Sequence, residues 1–253
     1  MVIAALIQMQ LQKSRVEAIE RFLKMLKKVK SASSDPDILC LPELWYPKPI
    51  TNFEEEFETI VDAAKENNMT IIPGAFQERI NGRFYISCPV IAANGKIAGR
   101  QFKVHPFGVQ RRVVKAATKT EIFDSGRFKF GIGICYDIVF PEVSRALARK
   151  GADLLFFPSK VRNEGINPWH MYIQVRALEN RIPIAAPNVY GGNNSIYRGK
   201  SICVDFDYDN KTDIAIPKIR VGSVNEQIIF MKTDLKHAKR MRRKRFKELT
   251  NSP

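Results

Sequence analysis

The stretch Phe128–Phe157 reads FKFGIGICYDIVFPEVSRALARKGADLLFF. The apolar run ending at Ile134 predicts a strand, Arg127–Ile134. Pro141 suits the first turn of a helix, and the pattern predicts that helix over Pro141–Lys150. Asp153–Phe157 then predicts a second buried strand. A strand, a helix and another strand within 30 residues is the unit from which α/β sheets are built.

The same alternation extends outward. A helix over Pro168–Arg181 and a strand over Ile184–Val189 follow, with further strands at Lys200–Phe206 and Glu226–Thr233. On the other side, Thr120–Asp124 forms a hairpin with Arg127–Ile134 through Ser125-Gly126. Phe84–Ala93 pairs with Lys96–Phe102 through Asn94-Gly95, a strong signal for a tight turn. The N-terminal part supplies a strand at Val2–Gln8 and a helix opened by Ser14 and Glu17 that runs to about Lys30. A strand at Ile38–Leu41, a helix from Asn52 with Glu55 completing its cap, and a strand at Thr70–Phe76 complete that part. Helices alternating with strands, interrupted by hairpins, imply mixed sheets covered by helices. No repeat or low-complexity linker divides the chain, so one domain is expected over residues 1–234, with a basic tail over 235–253.

Composition narrows the class. Hydrophobic residues at 45% and charged residues at 26% fit a packed globular chain. The net charge is +15, but Lys236–Lys247 (KHAKRMRRKRFK) holds eight basic residues and no acid. Without it, 33 basic residues stand against 26 acidic, a net of +7. The tail is expected to be solvated and partly helical, with weak contact to polyanions as the lesser reading. Val2–Ile7 is too short for a secretory leader, and no apolar run approaches the roughly 20 residues of a membrane span. Cys40, Cys88, Cys135 and Cys203 lie far apart without metal-ligand spacing, which suggests reduced thiols in the cytoplasm.

Functional groups in α/β sheets collect beyond the carboxyl ends of strands. Glu43 ends DILCLP, Lys103 ends the second arm of the first hairpin, and Cys135 ends FKFGIGI. Singly, each has an ordinary reading: a surface carboxylate, a solvated lysine, an inert buried thiol. Together they make a nucleophile, a base and a cation. A thiol attacks a carbonyl or nitrile carbon only as thiolate, and so needs a base and a positive neighbour. A carboxylate can take the thiol proton, and an ammonium can hold the oxyanion that forms. The Tyr136 N–H would be a second oxyanion donor if Cys135 occupied a sharp strand–helix turn. His105 and His170 are read as structural or peripheral.

The segments LCLPELW around Glu43, GRQFKVHPF around Lys103 and GIGICYDIVFPE around Cys135 resemble, in order and separation, the three signature segments of the nitrilase, or carbon–nitrogen hydrolase, superfamily. The likeness extends from VIAALIQMQ to about Thr233 and takes in ANGKIAGR and WHMYIQVRALENRIPIAAPN. It implies a four-layer αββα sandwich of mixed sheets, commonly paired into a dimer. It implies Glu43 as general base, Lys103 as oxyanion stabiliser and Cys135 as nucleophile, with no metal or organic cofactor. The substrate would be a small amide, carbamoyl compound or nitrile.

Two departures bear on substrate and activity. Many members of the superfamily carry a second carboxylate several residues after the lysine. Here VHPFGVQRRVVKAATKT has no acid before Glu121, and Arg111 and Arg112 stand in that region. If this loop lies over the pocket, the arginines favour substrates with a free carboxylate, and they are the candidate substrate-binding residues together with Tyr136. After the cysteine, Ile138-Val139 replaces a frequent basic residue, while Glu142 remains to support the site or cap the next helix. A non-catalytic protein of this fold that binds a metabolite or partner is the competing expectation.

Overall fold

The computed structural model describes residues 1–32, 34–209, 211–212 and 214–248. The first half runs β1 (Val2–Gln8), α1 (Arg15–Ser31), β2 (Ile38–Cys40), α2 (Phe53–Glu56), α3 (Glu58–Glu66), β3 (Thr70–Ile72), β4 (Phe76–Ile80), β5 (Arg83–Ile91), β6 (Ile97–Phe102) and α4 (Gln110–Val113). The second runs β7 (Ile122–Asp124), β8 (Lys129–Ile132), a 3-10 turn at Cys135–Val139, α5 (Pro141–Arg149), β9 (Leu154–Phe156), α6 (Ile166–Asn180) and β10 (Ile184–Ala186). It closes with the ribbon β11 (Tyr190–Gly191) and β12 (Tyr197–Arg198), then β13 (Ile202–Asp209), β14 (Ile214–Val221), β15 (Gln227–Thr233) and α7 (Leu235–Glu248).

Two mixed sheets result. One has the order β15-β1-β2-β3-β5-β4, with β6 also on β5; the other is β14-β13-β10-β9-β8-β7. In each, three parallel strands form the centre: β1, β2 and β3 in one, β8, β9 and β10 in the other. Antiparallel strands flank both centres.

The period-two alternation of strands assigns the layers. Ala5 and Ile7 of β1 pack with Phe22 and Met25 of α1 and Ile60 of α3. Their neighbours Ala4 and Leu6 face the other sheet, meeting a core that includes Phe130, Ile132, Leu154 and Phe156. The outer face of that second sheet, with Leu155, Ile184 and Val204, is covered by Leu147 of α5 and Ile173 and Ala177 of α6. Helices, sheet, sheet, helices is the expected arrangement. The Gly residues before the cysteine serve this packing: a Cβ at Gly133 would come within 2.3 Å of the Phe157 ring.

Several elements differ from expectation. The helix from Asn52 breaks at Phe57, whose ring is buried against Phe53, Trp45 and Phe76. Asn52 caps Glu54 N–H as expected, but the acid reaching back to the backbone N–H of Thr51 and Asn52 is Glu56, not Glu55. Thr70–Phe76 is not one strand. Pro73-Gly74 separates β3 from β4, and Gly74, at φ +89°, lies so close to Pro42 that a Cβ would sit 2.0 Å from its carbonyl oxygen. The strand β14 was not anticipated, because Pro217 lies inside it. As an edge strand it tolerates the missing donor.

The basic segment is also not a solvated tail over its described part. Residues Leu235–Glu248 form α7, with Ala238, Met241 and Arg242 buried and Phe206 and Ala215 of the second sheet beneath. Arg242 and Lys239 both reach Asp153, at 3.3 and 3.5 Å. Residues 249–253 of the expected tail lie outside the described residues. No described helix is long and apolar enough to cross a membrane.

Candidate active site

Glu43 follows β2 and is held by pairing with the strand beyond it. It bridges Ala75 in parallel, and Leu44 N–H donates to the Ala75 carbonyl at 2.7 Å. Lys103 follows β6; its N–H donates to the Ile86 carbonyl and its carbonyl accepts from Ala117. Both side chains are buried, at 2% and 1% exposure, and Lys103 Nζ donates to Glu43 Oε1 at 2.7 Å. Two groups 60 residues apart in sequence thus form one buried ion pair. Burial acts against the Lys103 ammonium most strongly, yet Glu43, Cys135 and Asp137 together hold its pKa above the ordinary lysine value.

Cys135 opens the 3-10 turn after β8 with φ +48°, a conformation rarely adopted by non-glycine residues. Its N–H is fixed on the Pro158 carbonyl at 2.9 Å. This is the sharp strand–helix turn on which the Tyr136 expectation depended. Tyr136 N–H lies in the first turn, where no intrahelical acceptor exists. Cys40, Cys88 and Cys203 are buried, whereas Cys135 is partly open. Burial, then the Glu43 charge, push the Cys135 thiol up to about 12; Lys103 and the backbone N–H of Lys160 pull the other way. Glu43 also hydrogen-bonds the thiol. The structure therefore brings Glu43, Lys103 and Cys135 to one point.

The other expected residues stand differently. Arg111 and Arg112 lie exposed on α4, with Arg111 Nε donating to the Pro106 carbonyl. Their neighbour Gln110 is the α4 residue that enters the site: its Oε1 accepts from Lys103 Nζ at 3.1 Å and from Phe107 N–H. A neutral carboxamide thus occupies the place beside the ammonium. Glu142 is exposed in the first turn of α5, where its charge complements the helix dipole. The supporting carboxylate is instead Asp137, fully buried, which accepts from the N–H groups of Val104, His105 and Ile134. His105 is a spacer, with Nδ1 3.1 Å from Asp137 and its ring stacked on Phe140. His170 Nε2 lies 2.7 Å from the Lys200 carbonyl.

Residues 138–139, where a basic side chain was missing, receive one from α6. Arg176 Nε donates to the Ile138 carbonyl and Nη2 to the Val139 carbonyl. One further group was not singled out in the sequence. Lys160 ends the segment after β9, is half-buried, and feels the charges of Glu43 and Cys135. The strand-end rule that found the other three would have found it too.

Comparisons with known proteins bear on the fold and the family. The chain aligns at 26% identity over 200 residues with an omega-amidase of Xenopus laevis, covering 72% of each chain. A Schizosaccharomyces pombe protein named a probable nitrilase is 34% identical over 142 residues, 55% of this chain and about half (52%) of that protein's length. A carbon–nitrogen hydrolase structure from Helicobacter pylori superposes with a TM-score of 0.84 at 22% identity, covering 98% of this chain and 95% of that one. An amidase from Nesterenkonia, captured with acrylamide added at its active-site cysteine, superposes with a TM-score of 0.76 at 16% identity over 98% and 99% of the two chains. At such identities the structural likeness concerns the fold. The model of the carbon–nitrogen hydrolase family matches residues 3–212, a span that contains Glu43, Lys103 and Cys135 together with both sheet centres, and this chain therefore belongs to that family.

Proposed function

We propose that this protein hydrolyses the carbon–nitrogen bond of small amides through Cys135, Glu43 and Lys103. The observation that carries the reading is the buried 2.7 Å contact of Lys103 with Glu43, beside a cysteine held at φ +48°. Omega-amidase relatives put amides ahead of carbamoyl compounds and nitriles as first substrates.

The raised thiol pKa sets the sequence of events. The resting sulfur keeps its proton, and Glu43 takes it as the S–C bond forms to the substrate carbonyl carbon. Lys103 Nζ and the Tyr136 N–H hold the oxygen that becomes negative. Glu43 then returns the proton to the nitrogen, the C–N bond breaks, and ammonia leaves a primary amide as a thioester remains on sulfur. Water next loses a proton to Glu43 and attacks the thioester. The carboxylic acid departs and sulfur recovers its proton. Gln110 keeps the ammonium oriented without adding charge. Arg111 and Arg112, exposed beside it, act at longer range by drawing anionic substrates toward the pocket.

Incubation with small primary amides followed by intact-mass and peptide mass spectrometry tests the reading. A thioester-type adduct should map to Cys135, and Cys135→Ala should lose turnover while keeping its Tm. Normal turnover by Cys135→Ala, or an adduct on another cysteine, would end the assignment.

A cytoplasmic, dimeric enzyme is the accompanying proposal. Four free thiols suit a reducing compartment. Met171, Tyr172 and Val175 on α6 leave an apolar stripe exposed that pairing would cover. Light scattering at a single mass near 28.9 kDa would contradict the dimer.

A further inference from the structure

The outer side of α7 carries a straight row of cations. Lys236, Arg240, Arg243 and Lys247 are all exposed and follow one another at steps of four, three and four residues. At 3.6 residues per turn, those steps keep the four within about 60° of one line over roughly 16 Å of helix. No acid occurs between Lys236 and Lys247. Among the described residues, the side chains of Lys236, Arg243 and Lys247 have no hydrogen-bond or ion-pair partner, and Arg240 meets the ring of His237 at 3.2 Å.

The row does nothing for the helix that bears it. Like charges four residues apart repel. Lys236 stands in the first turn, where the helix dipole disfavours a cation, and that turn holds no acid. Other residues dock α7: Ala238 and Met241 pack with Phe206 and Ala215, Lys239 and Arg242 reach Asp153, and the Arg145 guanidinium lies 6.0 Å from the centre of the Phe246 ring. The four cations are therefore surplus to folding, yet they are held in line on a helix fixed to the second sheet. Little ordering is left for a partner to impose.

The rest of α7 narrows the partner. Its apolar residues Leu235, Ala238, Met241 and Phe246 all belong to the hydrophobic clusters of the domain. None is left to enter a lipid layer or to stack on an unpaired base. What the outer side offers is charge in a line, half of it guanidinium forks that match phosphate oxygens. The backbone of a nucleic-acid duplex is the complementary line, and contact with it needs neither apolar side chains nor base readout.

We propose that the outer row of α7 is a sequence-independent docking site for the phosphate backbone of double-stranded nucleic acid. It uses none of the residues of the candidate active site and stands independently of the hydrolytic reading. The sequence expectation put any polyanion contact on a solvated tail; the structure offers a docked helix with one cationic line.

Fluorescence anisotropy with a labelled DNA duplex of about 20 base pairs tests this in the full chain, between about 50 and 200 mM salt. Four phosphate contacts predict a slope of log K against log salt of roughly −3 to −4. Arg240→Gln/Arg243→Gln should halve that slope and weaken binding tenfold or more, with Tm unchanged. If its Tm falls, Lys236→Gln/Lys247→Gln interrogates the same row. Lys24→Gln/Lys28→Gln removes equal charge from the exposed side of α1 and should leave Kd within about twofold. Equal weakening in the α1 and α7 variants would reduce the effect to net charge and overturn the proposal. An unaffected Kd in the α7 variants, or no binding at the lowest salt, also overturns it. Tighter binding of a single strand of the same length would reject the duplex. Cosedimentation with phosphatidylserine vesicles that is stronger than duplex binding and lost in the α7 variants would assign the row to a lipid surface instead.

Discussion

Asp137 is buried completely, yet it is surrounded by donors: the N–H groups of Val104, His105 and Ile134, and the ring of His105 at 3.1 Å. Val104 and His105 follow Lys103, and Ile134 precedes Cys135. One carboxylate therefore ties the segment carrying the ammonium to the segment carrying the thiol. An amide in its place could accept on one side only and would turn an NH2 toward a backbone N–H on the other. Asp137→Asn should cost about 2–4 kcal/mol in stability, the range for leaving buried donors unmatched beside a lost charge. Urea unfolding measures this, and a loss under 1 kcal/mol would mean that the donors find other acceptors. Activity should fall with it, because the Lys103–Cys135 spacing is then no longer fixed. Reading the sequence singled out Glu43, Lys103 and Cys135, which the fold brings together, since each ends a recognisable strand. It passed over Asp137 because two of the three backbone partners of that carboxylate, Val104 and His105, come from about 30 residues away, a separation no local pattern records. Gln110 was missed for a related reason: the expectation was for an acid, and a carboxamide with the same reach carries no charge signal.

At the scale of elements, strands whose two faces are both buried were the most legible. β2, β9 and β10 are continuous apolar runs, β8 is buried after its exposed Lys129, and each lies where its composition indicated. β14 was passed over although Ile214, Ala215, Ile216, Ile219 and Val221 are apolar, because Pro217 interrupts the run. α7 was misread for a different reason, since eight basic residues outweighed the few that dock. Ala238, Met241 and Arg242 share one face at spacings of three and four, and that face packs on Phe206 and Ala215 while Arg242 reaches Asp153. A chain ending at Thr233 would expose this patch and leave Asp153 without its two cations. We expect it to lose about 3–5 kcal/mol, from the burial of Met241 and Ala238 and the partly buried ion pair. Its Tm should then drop by roughly 5–15 °C. Differential scanning calorimetry decides, and an unchanged Tm would return the segment to the status of a tail. Loss of polyanion retention in such a chain is therefore no clean sign of charge recognition. Substituting the exposed Arg240 and Arg243 on the outer face of α7, with Tm held constant, isolates that effect.

For the whole molecule, the space between the two sheets holds three further thiols, and they make its stability depend on alkaline pH. Cys40, Cys88 and Cys203 lie in the core shared by both sheets. Burial raises Cys40 well above the ordinary thiol value, with Cys88 and Cys203 adding to it. Burial, then Glu43, raises Cys88, and burial raises Cys203 to about 12. A thiol whose folded pKa lies above its unfolded pKa, about 8.5, favours the folded state fully below 8.5. That contribution is lost as pH climbs from there toward the folded value, because only the unfolded chain ionises in the interval. By pH 10 the unfolded state gains about 2 kcal/mol for each such thiol. Urea unfolding at pH 7.5 and pH 10 should therefore show a marked fall in ΔG for wild type. Cys40→Ala/Cys203→Ala begins less stable, through the cavities it creates, but should lose about 4 kcal/mol less over the same interval. Equal losses in the two proteins would mean that these sulfurs are ionised or wetted in the folded state. The two sheets would then be more loosely joined than their packing indicates.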